Sequence, residues 1–312
     1  MLRADVALLT EHRFEGPATP GGHVLHPNIL LDDRLLHDAL QRRGLSSVRV
    51  DWARPEIDWS EFRCAVFRTI WDYFNRTDEF NAWLERVEGL TALCNSSDTV
   101  RWNMDKHYFA DLEAKGIPVV PTRYMERGST SSLRETIDES GWADAIVKPC
   151  ISGGARHTYR VNAANAHELE PVVRELLAAE SLLLQPFIED VARSGEDTLM
   201  VIDGGYTHAV RKVPKSGDFR VQEHLGGTVH DYTPTKEQIE LAERTMAACQ
   251  PRPAYGRVDM VRDNEGRLAV MELEVIEPEL WLRHHPPAAE ALAEALAKTL
   301  EAGGRPNPTQ RS

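Results

Sequence analysis

Cysteine is scarce, with four residues (Cys64, Cys94, Cys150 and Cys249) and no CxxC pair among them. Neither a disulfide framework nor a zinc site is encoded, and a reducing cytoplasm is the expected compartment. Long apolar runs are missing too: none approaches a membrane span, and the start of the chain passes from Met1 into ADVALLT without the basic and apolar regions of a secretory signal. Basic charge is in deficit, 36 Lys and Arg against 49 Asp and Glu, for a net charge of −13. That balance argues against nucleic acid or an anionic membrane as the main partner. A small anionic substrate stays compatible, because a local cluster can be basic inside an acidic chain. The sequence also lacks an internal repeat, a low-complexity segment and a GxxxxGK[ST] loop.

What is present suffices for a substantial core: 312 residues at 42% hydrophobic content, enough for two or three structural units. Over residues 4–95, apolar strands (ADVALLT, SVRVDW, CAVFRTIWDYF, TALCN) alternate with amphipathic helices (NILLDDRLLHDALQRRG, TDEFNAWLERVE), the second with Thr77 as its expected N-cap. The alternation predicts an open parallel sheet, whose active groups gather beyond the carboxyl ends of its strands, here residues 11–27 and 68–76. A second unit begins near Asn103 with a helix, NMDKHYFADLEAKG, running to Gly116. The strands IPVVPTRYM, AIVKP and TYRV, the loop CISGGARH, a helix containing Pro171, and LLLQPFIED complete it. The third unit reads as antiparallel. It has one hairpin turning at Asp203-Gly204-Gly205, a helix TPTKEQIELAERTMAACQ, a second hairpin (VDMV and LAVMELEVI around DNEG) and a last helix from Pro287 to Ala302. The fold class is α/β (α+β), divided as 1–102, 103–188 and 189–304, with 305–312 a frayed polar tail.

Three stretches carry candidate chemistry. In the second hairpin, Glu272 and Glu274 stand two apart on a strand and face one side, where Asp259 can join them from the neighbouring strand. Three such carboxylates repel unless a cation lies between them, and oxygen-only donors suit magnesium carrying phosphates. A solvated outer face of a sheet would carry the same letters. Lys148 ends a strand and leads into Ser152, Gly153 and Gly154, a loop of small residues whose amides can approach an oxyanion, or a plain hairpin loop. Arg211, Lys212, Lys215 and Arg220 gather four cations in ten residues, fit to hold phosphate and a substrate carboxylate opposite a metal, or to form a solvated basic loop. Trp71, Asp72 and Tyr73 either line a pocket or cap the sheet. His12, His23 and His26 lack metal spacing and are read as loop polar groups.

Taken in order, the elements over residues 103–278 resemble the ATP-grasp ligases, most nearly the glutathione synthetase branch, and residues 1–102 resemble the domain that precedes the ATP-grasp unit there. The resemblance implies an N-terminal open parallel α/β domain, a central lid domain and a C-terminal antiparallel-sheet domain carrying the metal site. It implies ATP, with its phosphates on Lys106 (on the helix opening the central domain), Lys148 and the Ser152, Gly153, Gly154 loop. Adenine would pair with the backbone of a hinge at Gln185, Pro186, Phe187 and Ile188, and ribose with Glu196 or Asp197. Mg2+ is implied on Asp259, Glu272 and Glu274, two ions, with Mn2+ as a substitute. Arg220 matches the arginine that steadies an acyl phosphate, assisted by Arg211 or Lys212. Three positions depart from the family pattern. Lys212 stands where an arginine is usual and loses its bidentate grip, Gln222 stands where asparagine is common, and Glu274 adds a charge where E-x-N is usual. The ELE-IEP ending and the length resemble the D-cycloserine synthetase (O-ureido-serine cyclo-ligase) group.

The implied reaction is ATP- and Mg2+-dependent formation of an amide-type C–N bond through an acyl phosphate, releasing ADP and phosphate. Its partners are small-molecule carboxylate and amine substrates, with no nucleic acid or membrane; a homodimer stays open. The cyclo-ligase resemblance implies ring closure within one amino-acid derivative, the alternative being an intermolecular ligase of the glutathione synthetase type. Readings of another class are a non-catalytic nucleotide-binding protein and a small-molecule kinase, which hydroxylamine trapping of an acyl phosphate would separate from a ligase. Residues 20–26, Trp71 to Tyr73, and Glu277 with Arg283 are the expected substrate determinants.

Overall fold

In the computed structural model of the chain, which describes residues 4–302, the apolar run Val6–Thr10 forms β1 and is buried at every position, the pattern of a strand covered on both faces. It lies inside a parallel sheet ordered β2 (Ser47–Asp51), β1, β3 (Cys64–Thr69), β4 (Ala92–Cys94). β3 stops at Thr69, short of the expected run to Phe74, and Tyr73–Asn75 turn as a 3-10 segment. Trp71 and Tyr73 thereby leave the carboxyl end of the sheet. The helix Thr77–Val87 takes Arg76 as its N-cap without a side-chain bond, so Thr77 is the first helical residue and not the cap. The loop after β1 holds a short helix, His12–Glu15, and the next helix spans His26–Arg42.

The second sheet is antiparallel, ordered β5 (Arg123–Met125), β8 (Leu182–Pro186), β6 (Asp144–Pro149), β7 (Tyr159–Asn162). Two expectations fail here. The helix expected from Asn103 to Gly116 is broken into Ser97–Met104 and Tyr108–Ala114, because Asp105 turns extended and the Lys106 amide donates to Cys150 O at 3.0 Å. Residues 117–125 are a strand only from Arg123. Before it, Val119 bridges Val270 and the Val120 amide donates to Val270 O at 3.0 Å, while Pro118 and Pro121 lack the N–H a ladder needs.

The third sheet is ordered β11 (Thr228–Asp231), β10 (Gly205–Val213), β9 (Glu196–Ile202), β12 (Tyr255–Arg262), β13 (Leu268–Glu274), all antiparallel. The β9–β10 loop is two residues, Asp203 and Gly204, both at positive φ (50° and 79°), and Gly205 already belongs to β10. That is the primed hairpin turn that matches strand twist. β12 is longer than VDMV, and β13 ends at Glu274, before Ile276.

One apolar cluster joins the first and third sheets: Val6, Leu8 and Val66 pack with Met200, Tyr255 and Leu292 of the helix Pro287–Ala302. Asn95 adds a polar tie, donating to Tyr255 O at 2.9 Å and Val275 O at 2.6 Å. The second sheet keeps its own core, centred on Ala145, Val161, Leu177 and Leu184. The expected tail at 305–312 lies outside the described residues.

Candidate functional site

The register of the third sheet sorts its charged side chains by face. Lys212 pairs with Glu196, Asp259 with Thr198 and Glu272, and Arg257 with Glu274, so period-two alternation sets Lys212, Glu196, Arg257, Asp259, Glu272 and Glu274 on one face. The residues one step along, Arg211 and Asp197, point to the other. There Arg211 Nε binds Asp197 Oδ1 at 2.6 Å, and Gln238 of the helix Lys236–Ala248 donates to Asp197 Oδ2 at 2.7 Å. Neither residue reaches the site. Of the two expected assisting cations only Lys212 faces it, and of the two ribose candidates only Glu196.

The cation-rich face carries the acids in a closed network. Carboxylate oxygens of Asp259, Glu272 and Glu274 lie within 4.8 Å of one another. Arg257, which the sequence reading passed over, donates to both oxygens of Asp259 (3.0 and 2.8 Å) and to Glu274 Oε1 at 2.5 Å. Its signal was an arginine two residues before an acid on the same strand, which alternation places beside it. Lys212 Nζ sits 2.8 Å from Asp259 and 2.5 Å from Glu196. A β-bulge at Met271, between the pairs Asp259–Glu272 and Met260–Val270, falls beside the acids, a device that re-aims side chains.

Burial alone would raise the Asp259 carboxyl, but Arg257 and Lys212 outweigh it and hold it well below the usual carboxylate range. Burial likewise opposes Glu272, which Lys106 and Lys148 lower. Glu274 goes the other way: burial, offset in part by Arg257 and reinforced by Glu272, pushes it up to about 7. Burial also pushes Glu277 up to about 8, with Glu274 adding repulsion. Hard oxygen donors this close together, one of them with its carboxyl pKa raised by burial, fit Mg2+.

A cavity of about 510 Å³ opens over this face and is walled on the other side by the second sheet. Lys106 Nζ donates to Ser152 O at 2.6 Å and lies 3.2 Å from Glu272, tying the glycine loop to the acids. Lys148 lines the cavity, its ammonium makes no hydrogen bond or ion pair to any described residue, and burial lowers its pKa. Ser152, Gly153 and Gly154 form the adjoining wall; a Cβ on Gly153 would stand 2.7 Å from the Phe74 ring, so a larger residue would have to displace that ring. Gln185, Pro186, Phe187 and Ile188 line the far end. Both backbone groups of Phe187 are already used, by Asp144 O at 2.9 Å and Asn264 Nδ2 at 2.9 Å; among the expected hinge groups the Ile188 N–H stays available. Arg220 lines the cavity and is steadied by Asp218 (3.1 and 2.8 Å). Trp71, Glu277, Glu279, Glu223 and His23 also line it, whereas Tyr73 is buried and does not.

Comparison with known proteins gives concordant findings. Residues 6–95 match the family of D-cycloserine synthetase DcsG N-terminal domains, and residues 118–253 match the ATP-grasp domain of prokaryotic glutathione synthetase. The cycloserine biosynthesis protein DcsG of Streptomyces lavendulae is 34% identical over 285 residues, 85% of this chain and 93% of that protein. A glutathione synthetase of Mesorhizobium japonicum is 28% identical over 53% of this chain and 49% of its own length. The crystal structure of D-cycloserine synthetase DcsG superposes with a TM-score of 0.81 at 31% identity, covering 95% of this chain and 99% of that one. A RimK domain ATP-grasp protein of Sphaerobacter thermophilus, at 19% identity and a TM-score of 0.64, covers 94% of this chain and 99% of its own and shares the fold.

Proposed function

Because the chain belongs to the ATP-grasp ligases of the glutathione synthetase-like branch, in the family of D-cycloserine synthetase, we propose that it activates a carboxylate as an acyl phosphate and closes it onto a nitrogen of the same amino-acid-derived molecule. The chain is an enzyme of the C–N bond-forming class; the ring closure is the proposed refinement. One observation carries the activation by ATP: Lys148, whose ammonium has no hydrogen bond or ion pair among the described residues, lines the cavity opposite Glu272 and Glu274, which gather with the buried Asp259 within 4.8 Å. A triphosphate answers both, directly at Lys148 and through Mg2+ at the carboxylates.

Asp259, Glu272 and Glu274 would hold Mg2+, two ions with Mn2+ able to replace them, and the metal would neutralise charge developing on the transferring phosphoryl group. Lys106 and the Ser152 loop orient the phosphates, and Glu196 is the ribose candidate on this face. A carboxylate oxygen of the substrate attacks the γ-phosphorus and ADP leaves. Arg220 then donates to the phosphate oxygens of the acyl phosphate. The substrate nitrogen attacks the carbonyl carbon, the C–N bond forms, and phosphate departs as the nitrogen gives up its proton. An acyl phosphate hydrolyses in water, so closure matters. The separate core of the second sheet supports residues 103–188 as a lid over residues 189–304. No described helix is long and apolar enough to cross a membrane, and all four cysteines are free, which supports the cytoplasm as its compartment.

The test is ADP release with Mg2+ over a panel of amino acids and small acids that includes O-ureido-serine, with mass analysis of products. ADP and a ring product from O-ureido-serine alone are expected. ADP that appears only when a separate amine is added would replace ring closure with intermolecular ligation, and no ADP with any acid would overturn the reading.

A further inference from the structure

Every glutamate on the cavity wall except one has a cation partner. Glu196 has Lys212, Glu272 has Lys106, Glu274 has Arg257, and Glu279 and Glu223 share Arg283. Glu277 lines the same cavity, is 8% exposed, and its carboxyl group has neither an ion pair nor a hydrogen bond from another side chain among the described residues. The cations near it are engaged, Lys106 by Ser152 O and Glu272, Arg257 by Asp259 and Glu274. Its position is nevertheless fixed. Trp71 Nε1 donates to Glu277 O at 3.1 Å, and the buried Tyr255 hydroxyl, whose one proton Phe67 O and Cys94 O also attract, lies 3.1 Å from Ile276 O. A buried carboxylate without counter-charge is costly to a fold, and a rigidly held one in a reaction cavity is a place for a ligand's positive charge.

We propose that Glu277 receives the α-ammonium of the amino-acid substrate and thereby selects amino acids over amine-free acids. The geometry of the substrate agrees. The ammonium and carboxylate of an α-amino acid stand on one carbon and its neighbour, so the ammonium site must adjoin the groups around the reacting carboxylate. Glu277 follows Glu274 by three residues and shares its wall. An amine-free acid would bury Glu277 with nothing in place of the ammonium, the kind of unpaired polar group that rejects a substrate strongly. This inference rests on the ring-closing reading for its substrate, though not for the charge it assigns.

Steady-state ADP release from the full chain tests it, with O-ureido-serine and its deamino analogue 3-(ureidooxy)propanoic acid, for wild type and Glu277→Gln. Wild type should prefer the amino compound by at least ~100-fold in kcat/KM. Glu277→Gln should raise its KM by ~30-fold or more while kcat and the KM for ATP stay within about threefold, so the preference collapses. The unchanged KM for ATP also reports that the variant is folded, and Glu277→Asp should raise KM less. A fall in kcat at unchanged KM would overturn the proposal, making Glu277 a proton acceptor, and so would an equal loss on both compounds. If wild type turns over neither compound, ring closure fails separately. Any amino acid the enzyme does accept must then lose KM in Glu277→Gln, and equal acceptance of its amine-free counterpart overturns the inference.

Discussion

Arg257→Met removes the cation on which the acidic face most depends. The guanidinium makes two bonds to Asp259 and one to Glu274, at 2.5 to 3.0 Å, from a side chain 8% exposed. Without it, Asp259 keeps only Lys212, which it already shares with Glu196, and Glu274 keeps no partner among the described residues. Breaking one side of a buried ion pair costs about 3–5 kcal/mol, because the remaining charge stays buried. At roughly 2–4 °C per kcal/mol for domains of this size, the apparent Tm should fall by about 6–20 °C. The loss has a condition attached. A divalent cation on the same carboxylates supplies the missing charge, so millimolar Mg2+ should recover more Tm in the variant than in wild type. Thermal scans by intrinsic fluorescence, in chelator and then in Mg2+, measure both. A loss below about 2 °C in chelator, or equal Mg2+ effects in the two proteins, would refute the argument that these acids await a cation.

Lys148→Met removes a buried ammonium with no hydrogen bond or ion pair among the described residues, so ADP formation should drop by ~100-fold or more while Tm holds or rises; a clear fall in Tm would contradict that. Arg211→Ala should leave kcat within about threefold, since its guanidinium serves Asp197 on the far face; a tenfold loss would return it to the site. His208 Nε2 lies 2.8 Å from Leu280 O, and burial pushes its pKa down to about 4. The unfolded chain takes up that proton near pH 6.5 and the folded chain does not, so the stability is fully present above pH 6.5 and lost as pH falls towards 4. It amounts to about 3 kcal/mol over that interval, and His208→Gln should show a correspondingly shallower acid limb in urea titrations run across it. Gly227→Ala would set a Cβ 2.2 Å from Val221 O in the loop carrying Arg220; turnover should fall ~10-fold or more with a small change in Tm.

The acidic face was legible because alternation is a strong rule: Glu272 and Glu274 share a side whatever the surrounding fold. What alternation cannot give is which side faces the cavity. Arg211 and Lys212, like Glu196 and Asp197, are adjacent letters, and only the register of β10 on β9 directs the second and third of those four inward. Arg257 was hidden for a related reason, since its meaning depends on the pairing with Glu274 across the hairpin. The break at Asp105 left a short local mark, a cap-type residue whose Oδ1 accepts from the His107 amide at 3.0 Å, but its other half is a distant carbonyl, Cys150 O, which takes the Lys106 amide. Strand order, the shared core of the first and third sheets, and the side chains of Lys148 and Glu277, left without a side-chain hydrogen-bond partner among the described residues, are likewise properties of long-range packing.

The central claim is that the carboxylate passes through an acyl phosphate on this face of the third sheet. The most direct test supplies the accepted substrate with 18O in its carboxylate and reads the phosphate released with ATP and Mg2+ by mass spectrometry. One 18O per phosphate, appearing with stoichiometric ADP, is predicted, and Glu272→Gln should abolish it without loss of fold. Unlabelled phosphate, or AMP and pyrophosphate carrying the label in AMP, would contradict the account.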